Sequence, residues 1–253
     1  MNMSEILTAT ENNILTITLN RPEKRNALND ALIDNLKTAL READQDETLR
    51  AVVIKGAGKD FCSGADLSAL QKISESDVME NHDDADNLRE LFSLIRRVKI
   101  PVIAAVHGRA LAGGCGLATA CDLVLATDTA RFGYPEVKIG FVPAMVMAIL
   151  RRNTSEKRAF ALATQGFEFD AATAKDFGLI NEIFADDEFE DKVKDYVSVY
   201  KNVSRSAVVL SKRLLYQMDG MTFETALLSG VDINTIARLT DDCQSGIAKF
   251  LNK

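Results

Sequence analysis

The chain has 253 residues, with 30 Lys and Arg against 37 Asp and Glu for a net charge of −7, and only 14 Gly and 4 Pro. With 47% hydrophobic and 26% charged residues, it has a globular composition, which excludes collagen-like, disordered and disulfide-scaffold classes. The acidic balance argues against broad binding to nucleic acid or anionic membranes, which needs a net or clustered positive field, so any anionic ligand requires a local cationic site.

Met1-Asn-Met-Ser-Glu5 has no basic region followed by an apolar run, so it does not read as a signal peptide, and a cytoplasmic location is expected. Ile14–Leu19 alternates apolar residues with Thr and ends at Asn20-Arg-Pro22, which suits a strand entering a turn. Leu28, Leu32, Leu36 and Leu40 then recur every four residues behind Asn29 and Asp30, predicting a capped helix with one buried stripe. Ala51–Ile54, Val102–Val106 and Leu123–Ala126 are short, continuously apolar runs, as expected of strands buried on both faces. Residues 74–87 hold six carboxylates and almost no apolar stripe, so they are expected to form a solvated, mobile connection. Leu88, Leu91, Phe92, Ile95 and Val98 restore helical spacing before the Pro101 strand.

The first half therefore alternates strand and helix, predicting a layered α/β fold of repeated βαβ units. Beyond Thr154 the pattern becomes helical, over 155–164, 170–177, 186–201, 205–217, 222–238 and 241–251. The division expected is a catalytic core over 1–195 and a helical region over 196–253. The longest uncharged stretches, Ala110–Cys121 and Ile139–Leu150, are each 12 residues, short of the roughly 20 a membrane helix needs. Cys62, Cys115, Cys121 and Cys243 form no C-x-x-C pair and read as buried free thiols, and no metal site is expected.

Two glycine-containing segments follow buried strands, Phe61-Cys-Ser-Gly-Ala-Asp-Leu67 and His107-Gly-Arg-Ala-Leu-Ala-Gly-Gly-Cys-Gly-Leu117. Glycines there let a backbone approach a ligand, and free amides at a helix start can hold a developing oxyanion, although glycine turns after strands also serve packing alone. Neither segment is G-x-G-x-x-G or a P-loop. In a third segment, Glu136 follows Pro135 among Phe132, Tyr134, Val137 and Ile139. Burial there would raise its pKa toward the range a general acid/base needs, while an ordinary helix-start glutamate fits the same position. His82 and His107 have no G-x-S-x-G serine to serve, Ser63 lies in Cys-Ser-Gly-Ala65, and Cys115 sits in an apolar run, which disfavours a nucleophilic hydrolase. Asp66 and Asp122 read first as residues that fix loops and helix starts.

Taken together and in order, Asn20–Leu28, Phe61–Leu67, Ala110–Cys115, Ala120-Cys-Asp122 and Phe132-Gly-Tyr-Pro-Glu136 resemble the signature segments of the enoyl-CoA hydratase/isomerase (crotonase) family, and the likeness continues through Ala174–Ile180 and Gly246–Leu251. The resemblance implies an α/β crotonase-like core of repeated ββα units with a helical C-terminal region used in trimer formation, giving a homotrimer or a dimer of trimers. It implies an acyl-CoA thioester substrate, with coenzyme A as part of the substrate and no other cofactor. By motif position, the amides of Ala65 and Gly113 would hold the thioester oxygen, and Glu136 would transfer protons. Lys24, Arg25, Ala27, Leu28, Asp66 and Leu67 would contact coenzyme A, Phe250 and Lys253 would help close its pocket, and Gly116, Tyr134 and Met145 would border the acyl group.

Two departures qualify the resemblance. Family hydratases carry a glutamate in Gly-Gly-x-Glu-Leu-Ala, where this chain has Gly116, so only the second of the two water-positioning carboxylates, Glu136, remains. One carboxylate suffices to move a proton between two carbons, which favours enoyl-CoA isomerisation over an atypical hydration. Val142-Pro-Ala-Met-Val-Met147 replaces the usual Pro-Gly-x-Gly-Gly-Thr and implies a differently shaped acyl pocket, with Met145 and Met147 as lining or as core. The alternatives are acyl-CoA decarboxylation or thioester hydrolysis on the same oxyanion hole, and an acyl-CoA-binding protein without turnover. RNA binding finds no basic strip.

Overall fold

A computed structural model describes residues 5–252. The chain opens with the hairpin β1 (Ile6–Glu11) and β2 (Ile14–Leu19), then α1 (Asp30–Gln45) and β3 (Ala51–Gly56). It continues through α2 (Leu67–Glu75), α3 (Val78–Arg97), β4 (Val102–Val106), β5 (Arg109–Leu111), α4 (Gly113–Ala120), β6 (Leu123–Thr127) and β7 (Arg131–Gly133). The remainder comprises α5 (Ala144–Asn153), α6 (Glu156–Gln165), β8 (Glu168–Asp170), α7 (Ala171–Asp176), β9 (Glu182–Phe184), α8 (Phe189–Ser198), α9 (Arg205–Gln217), α10 (Phe223–Arg238) and α11 (Asp241–Leu251).

β1 to β4, β6 and β9 form a six-stranded sheet in the order β1-β2-β3-β4-β6-β9, antiparallel only at the hairpin. β5, β7 and β8 form a second sheet, which Cys62 joins through a parallel bridge to Ala110. Successive turns of chain thus place one strand in each sheet and follow with a helix: β3, Cys62 and α2; β4, β5 and α4; β6, β7 and α5. This is the expected repeated ββα core. Its continuously apolar strands are covered on both faces, as parallel strands require. One face packs on α1, α3 and α4 through Leu32, Leu36, Leu40, Leu91, Ile95 and Leu117, and the other on α8 through Phe189, Val193 and Val197.

One expectation needs correction. Residues 74–87 are helical for most of their length: α3 starts at Val78 behind a capping box, in which Asp77 accepts from the Met79 and Glu80 amides and Glu80 accepts from the Asp77 amide at 3.0 Å. The acidic turns lack a stripe because their outer face is solvated, and α3 reaches the core only from Leu88 onward. α8 continues to Ser198 and buries Val197 against the sheet.

Candidate active site

Three chain segments converge on the start of α4. The first is the turn after β2, where Arg25 and Asn26 both adopt positive φ (51° and 54°). The fully buried Asn26 side chain fixes it, donating to the Ala57 and Asp60 carbonyls at 2.9 and 2.8 Å and accepting from the Arg21 amide at 2.9 Å. The second is the Cys62–Asp66 loop, which pairs with that turn: Leu28 N–H donates to Gly64 O at 2.7 Å and Asp66 N–H to Leu28 O at 2.9 Å. The third is the turn from β5 into α4.

Gly64 brings the second and third segments together. Its φ of 97° suits glycine, and a Cβ built there would lie 2.9 Å from Ala112 Cβ and 3.7 Å from the Gly113 nitrogen. Ala65 and Gly113 therefore belong to loops in direct contact, and among the described residues neither amide donates to a protein acceptor. Gly113 is the first residue of α4, where intrahelical partners are missing by geometry and the positive end of the helix dipole adds to the amide's field. The preceding Ala112 is held at φ 49°, ψ −127°, a conformation rare for a side-chain-bearing residue.

Glu136 reaches this region by a short route. Ala112 N–H donates to Gly133 O at 2.8 Å, so the strand that leads to Glu136 is tied to the residue that precedes the Gly113 amide. Glu136 lies in a 3-10 turn, Pro135–Ile139, closed by Gly140 at φ 79°. Its Oε2 is buried and accepts no hydrogen bond among the described residues. Desolvation pushes its pKa above the ordinary carboxylate range, with only its own amide opposing.

A Cβ built on Gly116 would lie 2.9 Å from Val146 Cγ2, 3.0 Å from Phe92 Cζ and 3.3 Å from Phe92 Cε2. The position is thus walled by apolar side chains from α3 and α5, which supply the three atoms nearest to it among the described residues. Neither Phe92 nor Val146 was singled out as a site residue from sequence, although Phe92 lay on the recognised α3 stripe.

The other expected site residues fall into distinct groups. Lys24 and Arg25 are exposed and available to an anion, with Arg25 Nε 3.9 Å from Asp60. Ala27 and Leu28 are buried, and their backbone groups are already engaged by Arg21, Lys24, Gly64 and Asp66. Leu67 opens α2. The Asp66 carboxylate caps α2 at Ser68 and pairs with Arg21 Nη2 at 2.7 Å, so both of its oxygens have protein partners.

Tyr134 is fully buried, with its hydroxyl 3.1 Å from Thr119 Oγ1. Met145 is half-buried against the main core, and Met147 is exposed. α11 rests on α9 and α10, and Phe250 near its end is 79% exposed. Lys253 lies outside the described residues. His107 Nε2 meets Gly58 O, and burial pushes the Cys62 and Cys115 thiols up to about 12, away from the thiolate that a nucleophile needs.

Comparison with known proteins accords with this architecture. The enoyl-CoA hydratase/isomerase family profile matches residues 9–253. A putative enoyl-CoA hydratase of Thermus thermophilus is 38% identical over 240 residues, 95% of each chain. The 2,3-dehydroadipyl-CoA hydratase of Escherichia coli is 32% identical over 252 residues, 99% of this chain and 97% of that one. The crystal structure of an enoyl-CoA hydratase from Mycobacterium smegmatis superposes with a TM-score of 0.94 at 32% identity, covering 98% of this chain and 96% of that one. The protein is an enzyme-family chain with a crotonase fold. It belongs to the enoyl-CoA hydratase/isomerase family.

Proposed function

We propose that the chain is an enoyl-CoA isomerase. The thioester oxygen sits between the Ala65 and Gly113 amides, and Glu136 carries one proton between two carbons of the acyl group. Glu136 removes a proton from C2 of a 3-enoyl-CoA, and the electron pair delocalises through the C3–C4 double bond and onto the thioester oxygen. The protonated Glu136 then returns the proton to C4, which leaves the double bond between C2 and C3. No water is consumed. Two preorganised amides suit this step because they act where charge develops, and losing one such donor costs on the order of 3 kcal/mol of barrier. The buried, unpartnered Oε2 suits a base whose pKa is moved toward neutrality.

The observation that carries the isomerase reading is the apolar wall beside Gly116. Hydration needs a positioned water, and the atoms nearest this position among the described residues are apolar. The hydratase names of the relatives favour the second reading, hydration by Glu136 alone. Supplying 3-enoyl-CoA and 2-enoyl-CoA separately decides between them. Double-bond migration that outpaces 3-hydroxyacyl-CoA formation is expected, and dominant hydration overturns the proposal.

Lys24 and Arg25 supply the local positive charge for the polyanionic coenzyme A moiety in a chain of net charge −7. The C-terminal helices support assembly into trimers, because Leu215, Phe223, Leu227, Leu228, Val231 and Leu239 are 56 to 78% exposed and need a covering surface. Among the described residues no helix is long and apolar enough to cross a membrane.

A further inference from the structure

We infer that Phe92 is a specificity-determining residue, whose ring seals the space beside Gly116 against a water or a second carboxylate and so confines Glu136 to proton transfer between carbons. The inference rests on the isomerase reading and adds a residue to it. α3 crosses α4 so that side chains one turn apart on α3 meet glycines nearly one turn apart on α4. Leu88 Cδ2 lies 3.9 Å from where a Cβ on Gly113 would be, and Phe92 Cζ lies 3.0 Å from where one on Gly116 would be. Positions i and i+3 share a helix face, so the face that begins at the free Gly113 amide is papered by an apolar strip from α3. Phe92 is 5% exposed and Val146 is 4% exposed, so neither can swing aside without opening the core. At this spacing even an alanine at position 116 is crowded, and a glutamate has no room unless the ring goes.

Ring removal alone opens a cavity that solvent can visit and exchange protons in, but with no polar partner to hold a water in position for hydration. The seal is therefore tested most sharply by restoring a carboxylate and the space for it together. Wild type, Gly116→Glu, Phe92→Ala, Phe92→Leu and the double variant Gly116→Glu/Phe92→Ala are compared with both enoyl-CoA isomers, each variant being checked for its far-UV spectrum and melting transition. The expected result is that Gly116→Glu lowers the melting transition and gains no hydration. The double variant recovers part of that loss and forms 3-hydroxyacyl-CoA from 2-enoyl-CoA on the order of a hundredfold above wild type, the lower end of what a positioned acid/base contributes.

A second readout is independent of the restored glutamate. In D2O, a dry Glu136 returns the same proton it removed, so deuterium at C4 of the isomerised product should be low in wild type, higher in Phe92→Leu and highest in Phe92→Ala. The inference is overturned if Gly116→Glu alone hydrates as well as the double variant, or if deuterium at C4 does not change across the Phe92 series. If wild type shows no Glu136-dependent migration with any 3-enoyl-CoA, the isomerase reading falls by itself, and the contrast between Gly116→Glu and the double variant still decides what Phe92 does.

Discussion

Lys212, on the first helix of the C-terminal region, donates to Asp122 Oδ2 at 2.6 Å where α4 ends and β6 begins. The same ammonium donates to the Ile95 and Ile100 carbonyls, at 3.1 and 3.0 Å, and the two side chains are only 8% and 14% exposed. Asp122 in turn accepts from the Val102 amide and from the Tyr216 hydroxyl. One carboxylate thus ties α9 to β4 and to the C-terminal end of the helix that begins at Gly113. Asp122→Ala strands a buried cation, a change that typically costs about 3–5 kcal/mol. Urea denaturation should show a midpoint lowered accordingly, whereas Lys55→Ala, which breaks the exposed pair with Glu190, should shift it by less than about 1 kcal/mol. Equal shifts for the two variants would refute the distinction.

Ala112 holds the Gly113 amide in place by adopting a backbone conformation that costs a non-glycine residue about 1–3 kcal/mol. Its amide is bound to Gly133 O and its carbonyl accepts from Gly116 N–H at 2.9 Å, so the surroundings impose the geometry. Ala112→Gly relieves the strain but adds unfolded-state entropy worth about 0.4–1 kcal/mol. A net gain approaching 1 kcal/mol is expected in the denaturation midpoint, and Ala112→Val should lose stability. A clear loss in Ala112→Gly would show that the backbone there is unstrained.

Arg21 and Asp66 bring the acid sensitivity of the turn beside the site into view. Burial acts to raise the Asp66 pKa, but hydrogen bonds from Ser68 and Arg21 outweigh it and hold the carboxyl at about 2, down from 3.8. A depressed carboxylate stabilises the fold fully above its unfolded pKa, and the contribution fades as pH falls through the folded value. The difference is worth roughly 2 kcal/mol, present at neutral pH and lost between about pH 4 and pH 2. Asp66→Asn should therefore destabilise the protein at pH 7 and approach wild type at pH 2. A gap that stays constant across that range would assign the effect to packing instead of charge.

Much of this was legible in the sequence, because periodicity and motif order are local properties. The Leu28 to Leu40 stripe became α1, with Asn29 capping it through the Leu32 amide, and the helical spans beyond 154 matched α6 to α11 within a few residues. Glycine at 64 and 113 marked the loops that meet. The acidic stretch misled because an apolar stripe was taken as the mark of a helix, although Asp77-Val-Met-Glu80 carried a capping-box pattern that did not depend on one. What fills the space at Gly116 was not readable, since Phe92 lies 24 residues before it and Val146 lies 30 after it. Asp66, likewise, matched a family segment while its partner, Arg21, came from another.

Glu136 should show its environment in both activity and stability, with opposite signs. Proton abstraction needs the carboxylate, and desolvation raises the pH at which that form appears. The acid limb of kcat/KM for 3-enoyl-CoA should therefore lie above the ordinary carboxylate range, with activity rising as pH rises through it, and Glu136→Gln should remove the activity. For stability the folded state holds the proton more tightly than the unfolded chain, so stability falls as pH rises from the unfolded pKa to the folded one and then stays at the lower level. Glu136→Gln cannot ionise and escapes that loss. It should be inactive yet at least as stable as wild type at pH 7, with its advantage shrinking at pH 4, where the wild-type carboxyl is protonated in the fold. An acid limb at the ordinary carboxylate position, or a Glu136→Gln protein less stable than wild type at neutral pH, would show that the buried Oε2 carries no desolvation cost.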